Sequence, residues 1–188
     1  MRLSHLIFIA VASCTIFTAR AQDTNVITLY TRLEGFEAQT GKIIVKAWAS
    51  AGTVSVNNKT ISVGCKESTE VGTGRKAYGV TVGIKEGGLD HYRTVIDDDE
   101  LDSFLEAIDY VSKVDMSVTV LPNFQATYKT RADLRLLSYN SAGRAGTVQA
   151  LQTGYNDANR IVLAPDQLGE FRILIRSAKE KLDALKKL

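Results

Sequence analysis

Two stretches of this 188-residue chain are copies of one another, and that duplication limits the possible folds more than any other feature. A shift of 67 positions aligns residues 79–108 with residues 146–175 without a gap, and nine of these 30 positions are identical. Only about two identities are expected from ordinary residue frequencies. Because two copies are too few for a solenoid, we expect two units that bury their apolar faces against each other.

Each copy predicts four strands followed by a helix, because the hydrophobic period changes from two to about 3.6 within it. In the first copy the strand candidates are residues 42–50, a hairpin of Val54 and Val56 against Ile61 and Val63, residues 78–84 and residues 92–96. In the second copy they are residues 124–130, 134–139, 147–152 and 160–163. Asp97 and Glu100 match a capping box for the first helix, and Pro165 opens the second.

The sequence therefore predicts an α+β fold of two tandem β-β-β-β-α repeats, residues 22–115 and residues 116–188. The repeats are expected to form a pseudo-twofold domain with antiparallel sheets and two amphipathic helices. The helical stripe Leu101, Phe104 and Ile108 has its counterpart in Leu168, Phe171 and Ile175.

Four strands and a helix that opens as residues 161–168 and continues from Phe171 to Leu185 resemble the repeat of whirly-type, Pur-type and transcription-coactivator single-stranded-DNA-binding proteins. The resemblance covers about residues 42–188 and is one of topology. It implies repeats paired as dimers or tandem pseudo-dimers, with nucleic acid held on the sheets.

The first 21 residues predict an export signal: a basic Arg2, an apolar run from Leu6 to Phe17, and cleavage between Ala21 and Gln22. The run is too short for a transmembrane anchor, so the mature chain is expected to contain no transmembrane helix. Lipidation at Cys14, within a lipobox-like sequence, and a mitochondrial presequence remain alternatives. The expected location is extracytoplasmic, either periplasmic or secreted.

Charge argues against nucleic acid as the partner. Without Arg2 and Arg20 the chain has 21 basic and 21 acidic residues, and the first repeat carries −5 against +5 in the second. Nucleic-acid-binding domains usually have a basic excess, because affinity depends on neutralising phosphates.

The sequence predicts no catalytic, cofactor or metal site. Cys65 and His91 are the single cysteine and the single histidine after the leader, and the usual nucleophile and metal motifs are absent. The acidic run from Asp97 to Glu100 lacks the ligand spacing of a calcium loop, so helix capping explains it better.

A candidate binding surface combines aromatic and basic strand residues, of the kind on which rings stack: Trp48, Tyr78, Tyr92, Lys42, Lys46, Lys85 and Arg93. Core or edge packing is the alternative, since aromatics are ordinary strand residues. The preferred hypothesis is an exported, non-enzymatic binding or envelope-associated protein with an unknown protein or small-molecule partner, in which a homodimer remains open. The alternative is a single-stranded nucleic-acid-binding protein on paired whirly-like sheets.

Overall fold

The computed structural model describes residues 31–140, 146–154 and 159–188, with the backbone alone at residues 90 and 91. The predicted leader, its cleavage site at Ala21 and Gln22, and Cys14 lie outside the described residues, as does the side chain of His91. The elements in chain order are α1 (Arg32–Glu37), β1 (Ile44–Val56), β2 (Lys59–Glu70), β3 (Lys76–Glu86), β4 (Leu89–Asp97), α2 (Leu101–Val111), β5 (Gln125–Lys129), β6 (Leu134–Asn140), β7 (Thr147–Thr153), β8 (Arg160–Leu163) and α3 (Pro165–Leu185).

The strands form two antiparallel sheets, which confirms the predicted α+β class. Sheet A has the order β1-β2-β3-β4 and sheet B the order β5-β6-β7-β8. Each predicted strand is present, and the two predicted parts of β1 join into one strand of 13 residues. A two-residue turn that includes Asn57, at φ +53°, connects β1 to β2.

A β-bulge in β1 decides which side chains face the helices. Ser50 is paired with Gly64, whereas Gly52 is paired with Val63, so one extra residue lies between them. Because side chains alternate along a strand, one extra residue reverses the faces of everything before it. Val54 points towards the helices, whereas Trp48, an even number of residues earlier, points to the opposite side.

Helices α2 and α3 each pack mainly on the sheet of the other repeat. α3, from the second repeat, packs on β1, β2 and β3 of sheet A, whereas α2, from the first repeat, packs on β5 and β6 of sheet B. Phe104 and Phe171, which occupy equivalent positions in the repeats, meet edge to face with centroids 6.1 Å apart and are both fully buried. One hydrophobic core therefore serves both halves. None of the described helices is both long enough and apolar enough to cross a lipid bilayer.

The capping box predicted for α2 does not form. Asp97 precedes a 3₁₀ turn over Asp98–Glu100 and makes no side-chain cap there. Its carboxylate instead accepts hydrogen bonds from the backbone N–H groups of Arg32 (2.8 Å) and Leu33 (3.1 Å), the first residues of α1. The acidic residue caps a helix distant in sequence, and a helix N-terminus favours such a charge.

α1 is an element that the hydrophobic pattern did not predict. Thr31 accepts from the N–H of Glu34 at 2.9 Å, and the Glu34 carboxylate accepts from the N–H of Thr31 at 3.1 Å, so the capping box lies here. Leu33 is buried against sheet A: a Cβ atom added at Gly79 of β3 would lie 3.2 Å from Cδ2 of Leu33. α1 therefore covers one end of the sheet face opposite α2 and α3.

Candidate functional site

The part of sheet A that points away from α2 and α3 and is not covered by α1, here called the open face, contains a shallow cavity of about 350 Å³. Small and polar residues form its floor, and aromatic and cationic residues form its rim. The lining residues are Lys46, Trp48, Ala49, Ser50, Ser62, Val63, Gly64, Lys66, Thr81, Gly83, Arg93 and Val95.

Glycines keep the floor low. A Cβ atom at Gly64 would lie 2.9 Å from the carbonyl oxygen of Ala49, and one at Gly83 would lie 2.6 Å from Oγ of Ser62. The hydroxyls of Ser62 and Thr81 donate to the carbonyls of Gly83 and Gly64, both at 3.3 Å. The floor is therefore a flat patch of backbone with its hydroxyls turned down towards the sheet.

Trp48 forms one side of the rim. Trp48 is 77% exposed, which is high for a large aromatic residue on a strand of 13 residues. An exposed indole offers a flat apolar surface for a ring, and its π face attracts cations. Trp48 is also the only tryptophan in the chain, so its fluorescence reports on this face alone.

α1 holds two lysines beside the indole. Oε2 of Glu37 lies 2.8 Å from Nζ of Lys46, and its Oε1 lies 2.6 Å from Nζ of Lys66 and accepts from Ser68 at 2.6 Å. Burial opposes ionisation of Glu37, yet the hydrogen bonds from Lys46, Lys66 and Ser68 keep the pKa of its carboxyl below the usual value. The carboxylate therefore stays charged and fixes both ammonium groups at the rim.

Three of the seven residues of the predicted surface meet at the cavity: Lys46, Trp48 and Arg93. Tyr78 and Tyr92 lie on the helix-facing side of sheet A and pack against the core. The ammonium of Lys186 lies 5.6 Å from the ring centre of Tyr78, and the hydroxyl of Tyr92 donates to the carbonyl of Ala132 at 3.2 Å. The two tyrosines therefore contribute to core packing and not to the candidate binding surface.

The remaining two lysines do not line the cavity. Lys42 donates to Oε1 of Glu70 at 2.6 Å, and this bond, with those from Arg75 and Thr73, lowers the pKa of Glu70 to about 2. Lys42 therefore belongs to the connection between β2 and β3. Lys85 lies on β3 close to the following turn.

Sequence reasoning did not find Lys66 and Glu37. Lys66 is paired with Trp48 across β1 and β2, but that register depends on the bulge. Counted from the hairpin turn without a bulge, Glu67 would be opposite Trp48. The capping box of Thr31 and Glu34 was the available signal for α1, and hence for Glu37.

Among the side chains that the structure describes, the lining contains three cations and no acidic, histidine or cysteine residue. Among the described residues no cluster of His, Cys, Asp and Glu could hold a metal ion. Such a face can stack a ring and pair with an anion. Comparison of the chain with protein-family models, with curated proteins and with solved structures gives no match.

Proposed function

We propose that the chain is an exported, non-enzymatic binding protein whose ligand lies on the open face of sheet A. The single observation that carries the proposal is the exposed Trp48 beside Lys46, Lys66 and Arg93 over a floor of glycines. Export rests on the composition of the leader, and the lack of turnover rests on a sequence without the usual nucleophile and metal motifs.

The chemistry of the face favours an anionic ligand that also presents a ring. Lys66 and Lys46 share one carboxylate, Glu37, so these two ammonium groups outnumber the carboxylate that holds them. Opposite charge at a partly dehydrated rim adds specificity, whereas the indole adds contact area. Acidic oligosaccharides have this combination of groups.

Sheet B differs from sheet A in a way that favours one site over a pair. On its side facing away from the shared core, Leu137 is 1% exposed and Ala150 is 0% exposed. A ring cannot stack on buried side chains. The alternative of nucleic acid on paired sheets needs two open faces, so a single binding face fits the described residues better.

The test is a titration followed by the fluorescence of Trp48. Oligogalacturonate, oligothymidylate and a neutral cello-oligosaccharide serve as probes, each at low and moderate salt. We expect oligogalacturonate to shift the emission saturably, with weaker binding at higher salt because the contacts are ionic. Salt-dependent binding of oligothymidylate alone would replace the proposal by the nucleic-acid alternative.

Two substitutions locate the ligand. Arg93→Ala should weaken binding about tenfold, which corresponds to the loss of one charge-assisted contact, and Trp48→Ala, followed by calorimetry, should abolish it. Matched controls are Arg176→Ala on α3 and Tyr110→Ala on α2, both exposed and neither among the lining residues. Binding that is unaffected by Trp48→Ala, or no response to any probe, would refute the site.

A further inference from the structure

The outer edge of β1 is half closed and half open. Antiparallel pairing leaves every second residue of an edge strand with its N–H and C=O directed outwards. The N–H of Val71 donates to the carbonyl of Ile43, which fixes the odd-numbered residues before the bulge as those bonded to β2. The backbone groups of Ile44, Lys46, Trp48 and Ser50 are therefore directed to the edge.

α3 occupies the half of the edge that follows the bulge. Nζ of Lys181 donates to the carbonyl of Ser50 at 3.1 Å, and Nε2 of Gln167 donates to the carbonyl of Ser55 at 2.9 Å. Both carbonyls are directed outwards: Ser50 follows the even-numbered pattern before the bulge, and the extra residue reverses that pattern for Ser55. Side chains of a neighbouring helix are a usual way of protecting an edge strand.

No described residue gives such cover to the half before the bulge. Within the described part of the chain no residue hydrogen-bonds to the outward groups of Ile44, Lys46 and Trp48. Exposed apolar side chains lie along this edge: Ile43 is 72% exposed, Val45 is 54% exposed, and Val71, directly after β2, is 57% exposed. An exposed apolar edge of this kind is a template for another strand.

We propose that a second copy of this chain pairs with β1, antiparallel and across a twofold axis, through residues 44–48. A twofold axis at Lys46 places Ile44 of one copy opposite Trp48 of the other and forms backbone hydrogen bonds at all three outward residues. Cross-strand pairs of an aromatic and a β-branched residue stabilise sheets. The interface is isologous, the commonest arrangement for a dimer.

The charges at the seam do not prevent self-pairing. The two Lys46 side chains that approach each other each lie 2.8 Å from the Glu37 carboxylate of their own copy, so each of these like charges has its own acidic partner. Sheet A of each copy would continue into the other as one eight-stranded sheet. The two open faces then lie side by side, with Trp48 of each copy next to the seam.

Sedimentation equilibrium of the full chain tests the proposal, from about 1 to about 200 µM. We expect a concentration-dependent rise from the 20.5-kDa chain to twice that mass. Val45→Lys places a charge on the exposed edge, and Ile44→Pro removes one outward N–H at the first residue of a strand, where proline is tolerated. Each should weaken dimerisation at least tenfold.

Val162→Lys on β8 is the matched control, because Val162 is 42% exposed on a strand at the edge of sheet B. It should leave the association constant unchanged, and circular dichroism should show all three variants folded. A wild-type chain that stays monomeric at every concentration would overturn the proposal and leave the edge to a strand of another protein. Dimers that tolerate both β1 substitutions would place the interface elsewhere.

Discussion

At the scale of single residues, Asp97 connects three parts of the molecule. Asp97 is the last residue of β4, and its side chain is only 1% exposed. The carboxylate accepts hydrogen bonds from the first two N–H groups of α1 and from Nη1 of Arg131, the last at 3.0 Å. Arg131 follows β5, so this one carboxylate joins β4 and α1 of the first repeat to the second repeat. The carboxylate of the neighbouring Asp98 lies 2.6 Å from Nζ of Lys186, and this side chain is about one third exposed.

Asp97→Asn should therefore destabilise the protein much more than Asp98→Asn. The amide of asparagine directs a donor at groups that already donate, so we expect a loss of about 2–4 kcal/mol, as for breaking a buried ionic hydrogen-bond network. The exposed pair at Asp98 should contribute less than about 1 kcal/mol. Urea unfolding followed by circular dichroism measures both, and equal losses would contradict this account.

At the scale of elements, the bulge in β1 creates the open face. Without it, Trp48 and Lys46 would share the phase of Val54 and lie on the helix-facing side of sheet A, whereas Ala47 and Ala49 would lie on the opposite side. Gly52, at φ +144°, is the residue after the extra position. That conformation is rarely adopted by residues with a side chain.

Gly52→Ala should cost about 1–3 kcal/mol, the usual range for a residue held in a strained conformation. The added Cβ would also lie 2.6 Å from Cδ2 of Leu174, which must move. Gly72→Ala is the control, because its Cβ meets nothing within 4 Å and its φ is not positive. A change in the emission maximum of Trp48 in the Gly52 variant alone would show that the bulge sets the environment of the indole, and two equally stable variants would contradict the expectation.

At the scale of the whole molecule, the exchange of helices makes the two halves depend on each other. The apolar side of sheet A is covered by α3 and that of sheet B by α2. Neither half by itself can bury the surface of its own sheet, because its helix packs elsewhere. Folding is therefore expected to be one cooperative transition.

Separate fragments of residues 31–115 and 116–188 should each lack dispersed amide resonances, whereas an equimolar mixture should recover them. The reason is that each fragment supplies the helix that the other sheet needs. Nuclear magnetic resonance of the three samples tests this, with the intact chain as reference. A fragment that folds alone would contradict the dependence.

How far the sequence predicts this molecule differs between its parts. The four-strand-and-helix order and the α+β class followed from the alternation of apolar residues and from the stripe through Phe104 and Phe171, which the structure places in contact. The partner of Asp97 could not be predicted, because a carboxylate before a helix caps locally or at long range with the same sequence signature.

The candidate face was predicted in part, and for a physical reason. Residue type was enough to recognise Trp48, Lys46 and Arg93. Tyr78 and Tyr92 are aromatic strand residues as well, but they lie on the opposite, helix-facing side of the sheet. The side of the sheet that a side chain faces depends on its position in the alternation along the strand. In β1 that alternation is shifted by the one extra residue of the bulge. A bulge leaves only a weak trace in sequence, here Gly52.

The exchanged helices also set an order of events during synthesis. Sheet A is complete at Asp97, yet α3, which covers it, begins only at Pro165. A ribosome must therefore add nearly seventy further residues before α3 even begins, so the apolar side of the first sheet is still without its native cover at that point. During that interval the nascent polypeptide has no native way to hide Val54, Ile61 and Val82, so a chaperone that grips apolar segments is its natural companion until translation passes α3.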